Sequence, residues 1–305
     1  MGFFKVMPYA GELFAFITAV CWTITALVFE FTGKRVGSLP VNFLRLFIAL
    51  LFFSTYGLGM RGMIVPSDAS TFTWTWMSIS GLVGFCFGDL CLFQAFVMVG
   101  SRISSLMMSA VPLMTTLIGW WLLNERLEPL AWVGMALTIG GIVMVVNKRH
   151  TMTRTAEKNM QKSLTKGVIF AFCGAAGQAI GLVISKYGMK SYDAGAATHI
   201  RVIAGTIGFA LLFTFSGQWP KVKKALADKK AVFFITLGAL FGPFLGVTFS
   251  LLAVQHTETG IASTIMAIVP ILIIPPSIVL FKEKLTAIDV IGATISVIGV
   301  SLLFL

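Results

Sequence analysis

An acidic residue, Asp89, lies deep inside an apolar stretch of the sequence. The five residues before it, 84–88, are two glycines, two phenylalanines and a cysteine, and Leu90 follows it. An isolated charge in an apolar medium is costly, so such an acid usually faces a polar cavity or a partner. Two interpretations follow. Asp89 contacts a cationic group of a ligand or carries a proton, or it is a structural acid bonded to a neighbouring helix.

Three basic or titratable residues, Arg45, His199 and Arg201, also interrupt apolar stretches. The simpler interpretation of the arginines is that they extend toward a polar interface or pair with a helix end. The alternative is that they gate a pathway, couple it to an ion, or bind a carboxylate group. His199 has a side chain that titrates near neutral pH, although a single histidine more often only forms hydrogen bonds.

Neutral polar and large apolar side chains in the same stretches are candidates for ligand binding. The hydroxyl and amide groups either contact a ligand or join two helices by hydrogen bonds. Trp22 and Met108 either line an apolar pocket or pack in the core. The candidate substrate-binding residues are Trp22, Thr25, Asp89, Gln94, Met108 and Gln178.

Two prolines, Pro112 and Pro270, stand in the middle of apolar stretches. Each removes a backbone N–H and so predicts a kink where a helix can bend, or a purely structural kink. The candidate gating or coupling residues are therefore Asp89, Arg45, His199, Arg201, Pro112 and Pro270.

The sequence has no signature of catalysis or nucleotide binding. There is no Walker pattern, no HExxH, no GxSxG and no GxGxxG motif that follows a strand. The four cysteines have no CxxC or metal-like spacing, so we expect them to be small buried residues. We therefore expect no enzyme activity, no cofactor and no metal site. The net charge of +11 lies in short loops, which argues against a nucleic-acid partner.

Composition places the protein in a bilayer. Hydrophobic residues make up 57% of the chain, charged residues 11%, and the mean hydropathy is +0.92. Runs of about 20 apolar residues can each cross the bilayer core. We expect an all-α membrane protein with ten transmembrane helices and the lipid bilayer as a partner. The predicted spans cover about 9–30, 38–58, 74–98, 102–123, 129–147, 165–186, 195–216, 231–254, 259–281 and 286–304.

One unit of sequence is used twice. Pro112 and Pro270 are 158 residues apart, and the segments around them match without a gap, whereas Arg45 and Arg201 are 156 apart. Each half of the chain contains five of the ten predicted spans. Because five is an odd number, the two halves enter the membrane from opposite sides and form inverted repeats. We expect a first repeat over 1–147, a basic linker over 148–166, and a second repeat over 167–305.

These repeated residues resemble the drug/metabolite transporter superfamily, specifically its ten-helix EamA-type members. The resemblance implies a transporter with a central cavity formed mainly by spans 1, 3, 4, 6, 8 and 9, and supported from behind by spans 5 and 10. The matching residues are Trp22, Arg45, Gly88-Asp89, Pro112, Glu125-Arg126-Leu127, Gly134 and Gly141, with the second-half copies Arg201, Pro270, Glu283-Lys284-Leu285, Gly292 and Gly299.

We expect a secondary transporter of small organic metabolites such as amino acids, working by alternating access between the repeats, with export favoured over import. The alternatives are an uptake carrier, a flippase for a lipid-linked precursor, and, in another class, a membrane enzyme or sensor. Without a nucleotide site, transport is passive or driven by an ion gradient, with the proton as a candidate coupling ion. We expect a monomer in a bacterial inner membrane, crossing it many times.

The orientation of the chain has two possible answers. The linker and the clusters near Lys34 and Lys221–Lys230 carry most of the loop charge, so the positive-inside rule places that side in the cytoplasm and both termini outside. Similar family members usually have cytoplasmic termini, which implies the opposite orientation.

Paired glycines predict how the halves join. Gly134 and Gly141 are seven residues apart, like Gly292 and Gly299, so each pair lies on one face of its helix. We expect spans 5 and 10 to pack along these glycines, and Gly141→Leu to lower thermal stability more than Gly57→Leu.

Glu30, near the end of span 1, is expected to be solvated at the membrane interface, although its match with Lys186 across the repeat leaves open a contact between the two.

Overall fold

The computed structural model describes residues 9–123, 129–153, 158–256, 262, 265–281 and 286–302, and every regular element within these ranges is helical. The repeated segments Glu125-Arg126-Leu127 and Glu283-Lys284-Leu285 lie outside the described residues. In the first half, span 1 is Ala10–Val36 and span 2 is Ser38–Arg61. Spans 3 and 4 are formed by Thr71–Gly81, Leu82–Gly88, Asp89–Met108 and Ala110–Leu123, and span 5 is Pro129–Thr153.

The second half repeats this order. Span 6 is Lys158–Met189 and span 7 is Ala194–Ser216, after which a short helix, Trp219–Ala227, precedes span 8. Span 8 is formed by Lys229–Ala239, Leu240–Gly246 and Val247–His256. Span 9 contains Val269–Leu272 and Ile274–Phe281, and span 10 is Ala287–Leu302.

The helices have the length and composition of membrane spans. Within the described ranges, seven helices are apolar enough and long enough to cross a bilayer, and two shorter apolar helices, Val269–Phe281 and Ala287–Leu302, follow. One of the seven, Thr71–Met108, contains span 3 and the first part of span 4, which are divided at Gly100, whose φ of 83° is non-helical. A positive φ favours glycine, and the sequence places one there.

Glycines and short polar side chains set the other helix ends. Gly62 and Gly217 end spans 2 and 7 with φ of 68° and 64°. Asp193 and Asp228 begin spans 7 and 8, where their carboxylates accept bonds from the backbone N–H groups of Ala196 and Ala231 at 2.8 and 3.0 Å. Such caps satisfy N–H groups that have no partner inside the helix.

The helices extend beyond the predicted apolar spans. The predicted linker, 148–166, is helical wherever the structure describes it, because the helix Pro129–Thr153 continues through Lys148 and the next begins at Lys158. Lysine, glutamine and methionine are good helix formers, so the polar composition of this segment does not end the helices.

Each half contains a π-helical segment at the same position of the repeat. Leu82–Gly88 lies in span 3 and Leu240–Gly246 lies in span 8, again 158 residues apart. Gly88 of the first segment packs on span 6 beside the backbone of Gln178, and Gly246 of the second packs on span 1 beside the ring of Trp22. The two halves therefore make equivalent contacts around one pseudo-twofold axis.

Spans 5 and 10 pack against each other along their glycines, which confirms the contact predicted from the sequence. A Cβ atom on Gly141 would lie 2.5 Å from the carbonyl oxygen of Gly292, and one on Gly299 would lie 2.6 Å from the carbonyl oxygen of Gly134. The hydroxyl of Ser296 adds a hydrogen bond to the carbonyl oxygen of Thr138 at 3.3 Å. Backbones can approach this closely because the residues between them are small.

Candidate functional site

The candidate site is built around an ion pair between Asp89 and Arg45. Arg45 lies seven residues inside span 2, and Asp89 begins the helix that follows the first π-helical segment. The guanidinium of Arg45 bonds to Oδ2 of Asp89, and both side chains are almost completely buried. Arg45 therefore pairs with a carboxylate side chain, and it neither extends toward the membrane interface nor caps a helix end through backbone groups of the described residues.

Asn42 holds the two partners in place. It lies one helical turn before Arg45, and its amide oxygen accepts a bond from Nε of Arg45 at 3.3 Å. Its amide nitrogen donates to the backbone oxygen of Asp89 at 3.3 Å. We did not predict this role, although the three-residue spacing from Arg45 places both side chains on one helix face and was available as a signal.

Gln178 brings span 6 into the cluster. Its amide nitrogen donates to Oδ1 of Asp89 at 2.5 Å and to the carbonyl oxygen of Gly84 at 3.2 Å. The second acceptor is inside the π-helical segment, where the hydrogen-bonding pattern of the helix changes. The carboxylate of Asp89 therefore joins three spans, with Arg45 on one oxygen and Gln178 on the other.

Arg201 lies on the other side of the same group. It is 4% exposed, and its guanidinium lies 4.7 Å from the centre of the Phe85 ring and close enough to Asp89 to be attracted by that carboxylate. Arg45 contacts the same ring at 5.8 Å and the Phe93 ring at 4.5 Å. Two equivalent arginines of the repeat thus face one aspartate, because the second-half equivalent of Asp89 is Val247.

The predicted residues Trp22 and Thr25 do not join this cluster. They lie on span 1 against Gly246 and Gly242 of the second π-helical segment. Thr25 also donates to the backbone oxygen of Cys21 at 2.7 Å, a local bond that uses its hydroxyl hydrogen. Trp22 is the repeat equivalent of Gln178, so an aromatic ring stands in the second half where the first half has an amide.

The remaining predicted residues are dispersed. Met108 is half-buried and packs on the main apolar core, which is built around large phenylalanines such as Phe29 and Phe209. His199 stacks on Phe53 at 5.6 Å between ring centres and lies 3.5 Å from the hydroxyl of Ser54. Pro112 lies in a helical part of span 4 and is half-buried, and Pro270 lies in a helical part of span 9 and is buried. Both are distant from Asp89 in the sequence.

A cavity of about 1140 Å³ opens beside the cluster, at the end of the helix bundle where spans 1 and 2 join. Its floor contains Asn42, Leu90 and Gln94, so Asn42 contacts both the cavity and the ion pair. Ser38 donates to the amide oxygen of Gln94 at 2.6 Å. Of the predicted substrate-binding residues, Gln94 is the one that lines this cavity.

The cavity wall differs from the one that the family resemblance implied, which was formed mainly by spans 1, 3, 4, 6, 8 and 9. It includes the start of span 2 and the short helix Trp219–Ala227, and none of the described residues of spans 4 and 9 lines it. The reason is that the opening lies at the ends of the helices, where loops and helix starts form the wall. At this rim Arg35 bonds to Asp228 at 2.5 Å, and this bond lowers the pKa of the Asp228 carboxyl group.

The expectation of a solvated Glu30 is wrong, and so is its contact with Lys186. Glu30 is completely buried, pairs with Lys34, and accepts a bond from the backbone N–H of Ser101 at 2.5 Å. Ser101 follows the turn at Gly100, so Glu30 of span 1 caps the start of span 4. Lys186 lies exposed near the opposite end of the bundle.

A second buried pair joins spans 4 and 10. Arg102 and Asp289 lie 3.7 Å apart, and both are almost completely buried. Among the described residues, no group of three or more histidine, cysteine, aspartate or glutamate side chains has the geometry of a metal site. The buried pairs Arg45–Asp89 and Arg102–Asp289 each join two spans.

Apolar helices that enclose buried charges beside a cavity define a multi-pass integral membrane protein of two repeats. The model of the EamA-like transporter family matches residues 9–147 and 165–305. The chain belongs to this family of membrane transporters, which lies within the drug/metabolite transporter superfamily, and the resemblance seen in the sequence is confirmed.

A solved structure described as "Crystal structure of protein" has the same overall fold. It is 17% identical to this chain, with coverage of 97% of this chain and 96% of its own, and a TM-score of 0.63. At this identity the similarity concerns the fold alone. None of the curated proteins is a significant match.

Proposed function

We propose that the protein is a secondary transporter that exports small organic metabolites, such as amino acids, across a bacterial inner membrane. The observation that carries this proposal is the cavity beside Asp89. A space of about 1140 Å³ can hold a metabolite, and its floor reaches Asn42, which contacts a buried ion pair at membrane depth. Buried charges beside a cavity are typical of substrate and ion pathways.

The geometry supports alternating access in which Asp89 changes partners. Arg45 and Arg201 are equivalent residues of inverted repeats, and in transporters of this kind the two repeats rock against each other. In the described arrangement Arg45 holds Asp89 while the cavity is open on the linker side. In the opposite arrangement, we propose, Arg201 takes this carboxylate and the cavity opens on the other side.

Other parts of the bundle have distinct roles in this proposal. The packed glycines of spans 5 and 10 form a fixed seam between the halves, and the kinks at Pro112 and Pro270 absorb the bending. Gln94 and Gln178 contact the substrate from spans 3 and 6. Trp22, Thr25 and Met108 form the walls of the pathway as it opens.

The direction of transport follows from which side the cavity faces. It opens beside Arg35 and Lys229, on the side that the positive-inside rule places in the cytoplasm. A cavity that opens there without a ligand is ready to load a cytoplasmic substrate, so we propose export. Asp89 is the candidate proton carrier, because it is the acid of the buried cluster.

Proteoliposomes test this function. Purified protein is reconstituted, and the flux of a panel of labelled metabolites is measured with and without a pH gradient. We expect saturable flux of a subset of compounds, and a gradient-dependent rate if a proton is coupled. Vesicles with a stable Asp89→Asn variant serve as the control. A rate equal to that of protein-free vesicles for every compound would contradict the proposal.

A further inference from the structure

The wall of the cavity carries an excess of positive charge. Its one described acidic residue, Asp228, is already bonded to Arg35 and to the backbone of Ala231. Lysines dominate the remainder of its charged surface. The basic residues that line the cavity are Arg35, Lys221, Lys224, Lys229 and Lys230.

Membrane topology accounts for lysines at the rim, but it does not account for the charge deeper in the bundle. Loop lysines on one side follow the positive-inside rule. Below the floor, however, the buried cluster has two guanidiniums, of Arg45 and Arg201, against the single carboxylate of Asp89. Nε of Arg201 has no hydrogen-bond partner among the described residues. The positive excess therefore continues from the rim to membrane depth.

The floor of the cavity also offers a hydrogen-bond donor, the side-chain amide of Gln94. The hydroxyl of Ser38 occupies the acceptor end of the Gln94 amide, at 2.6 Å, so the NH₂ end is the one available to a ligand. An amide NH₂ group donates to carboxylate or phosphate oxygens. Fixed positive charge around a low-dielectric cleft concentrates anions and excludes cations.

We propose that this cavity selects organic anions, meaning small solutes with more carboxylate or phosphate charge than ammonium charge. The proposal rests on the transport function above and narrows its substrate class. Acidic amino acids belong to this class, whereas neutral and basic amino acids do not. The same chemistry would also suit the phosphate of an anionic lipid headgroup, so the test must separate the two.

Three amino acids of similar size test charge selection directly. The probes are labelled glutamate, glutamine and lysine, and the full chain is reconstituted in vesicles made only of zwitterionic phospholipid. We expect glutamate to move about tenfold faster than lysine, with glutamine between them, and the difference to shrink at high salt. Equal rates for glutamate and lysine, both above the rate of protein-free vesicles, would overturn the proposal, and the transport function would stand.

The chain offers a closely matched pair of variants. Lys224 and Lys229 line the cavity, whereas Lys223 and Lys162 do not, although they lie on the same side of the membrane and are also exposed. We expect Lys224→Gln with Lys229→Gln to raise KM for glutamate several-fold and to leave glutamine unchanged. Lys223→Gln with Lys162→Gln removes the same charge and should have no such effect. Equal KM changes in the two double variants would overturn the proposal.

A binding measurement keeps the inference testable if no probe is transported. The midpoint of thermal unfolding in neutral detergent is recorded with citrate and with an anionic phospholipid. Stabilisation by citrate that is lost in Lys224→Gln with Lys229→Gln supports an anion site even if the transport function fails. Stabilisation by the lipid alone, or by neither, would overturn the site for soluble anions.

Discussion

A single carboxylate organises the buried polar cluster that joins spans 2, 3, 6 and 7. Asp89 bonds to Arg45 and Gln178, and it attracts Arg201 from a third direction. A buried ion pair adds little net stability compared with apolar packing, but removing one partner leaves an uncompensated charge. The cost of keeping such a pair at membrane depth suggests that its exchange has a role in transport.

Asp89→Asn tests this role. The variant leaves the guanidiniums of Arg45 and Arg201 without a counter-charge, so we expect a loss of about 3–5 kcal/mol in unfolding free energy together with loss of transport. Thermal unfolding in detergent and flux in vesicles measure the two effects separately.

The double variant Arg45→Gln with Asp89→Asn separates stability from function. Neutral side chains can keep a hydrogen bond, so this variant should recover the part of the stability that Asp89→Asn loses through Arg45, although Arg201 still lacks a counter-charge. Transport should stay absent, because the exchangeable charge is gone. If transport returns along with stability, Asp89 has only a structural role.

Glu30 supplies a prediction about the start of span 4. Glu30→Ala removes the acceptor of the Ser101 N–H and the partner of Lys34, and we expect a loss of about 1–3 kcal/mol in stability. Glu30→Gln keeps an acceptor and should lose less. Asp68→Ala breaks the exposed pair with Arg61 and should change the unfolding midpoint little. A Glu30→Ala midpoint equal to that of Asp68→Ala would contradict the capping role.

At the scale of residues, the sequence indicated that Asp89 makes a buried contact but did not identify its partner. An acid at position 89 among apolar residues indicated a buried polar contact, and the structure contains one. The identity of that contact, Arg45, depends on how spans 2 and 3 lie together, which no local pattern encodes. Glu30 was mistaken for an interfacial residue because its position near the end of an apolar run gives no sign of the turn at Gly100.

At the scale of helices, repetition made the contact between spans 5 and 10 predictable. Two glycines at the same spacing in both halves mark one face on each helix, and these faces meet. The π-helical segments had no comparable signal, since the glycines around Gly84 and Gly242 are also compatible with ordinary helix. Their close packing on spans 6 and 1 became visible only in three dimensions.

Adjacent glycines in span 5 provide a test of the seam. A Cβ on Gly141 would lie 2.4 Å from the Ser296 hydroxyl oxygen, whereas one on Gly140 would meet no atom within 4 Å. We expect Gly141→Ala to lower stability by about 1–3 kcal/mol through overpacking. Gly140→Ala should be neutral or stabilising, because alanine favours the helix by about 1 kcal/mol. Thermal unfolding of both variants measures the difference.

Gly140 replaces Gly57 as the control in this experiment. A Cβ on Gly57 would lie 2.6 Å from the backbone oxygen of Met63, so a leucine there would also be strained. Gly57→Leu is therefore not an unstrained control, and its being the milder change stays a prediction. Equal unfolding midpoints for Gly140→Ala and Gly141→Ala would count against a tightly packed seam.

For the whole molecule, the uneven distribution of charge predicts an orientation in the membrane. The described end that contains Lys34, Arg35 and Lys221–Lys230 is strongly basic, whereas the opposite end has few basic residues, such as Arg61 and Lys190. The positive-inside rule counts lysine and arginine in short loops near the ends of spans. By this rule the cavity opens to the cytoplasm, although the resemblance to other family members implied the reverse.

Thiol labelling in intact cells decides between the two orientations. Ser67 lies between spans 2 and 3, Lys162 lies at the start of span 6, and both are exposed at opposite ends of the bundle. Each is changed to cysteine in a chain whose four native cysteines are replaced by alanine. Because the linker end is the basic one, we expect a membrane-impermeant maleimide to label Ser67→Cys in intact cells, and to label Lys162→Cys only after the membrane is permeabilised. The reverse pattern would place the cavity mouth outside the cell, and the lysines around it would then collect anions for uptake instead of export.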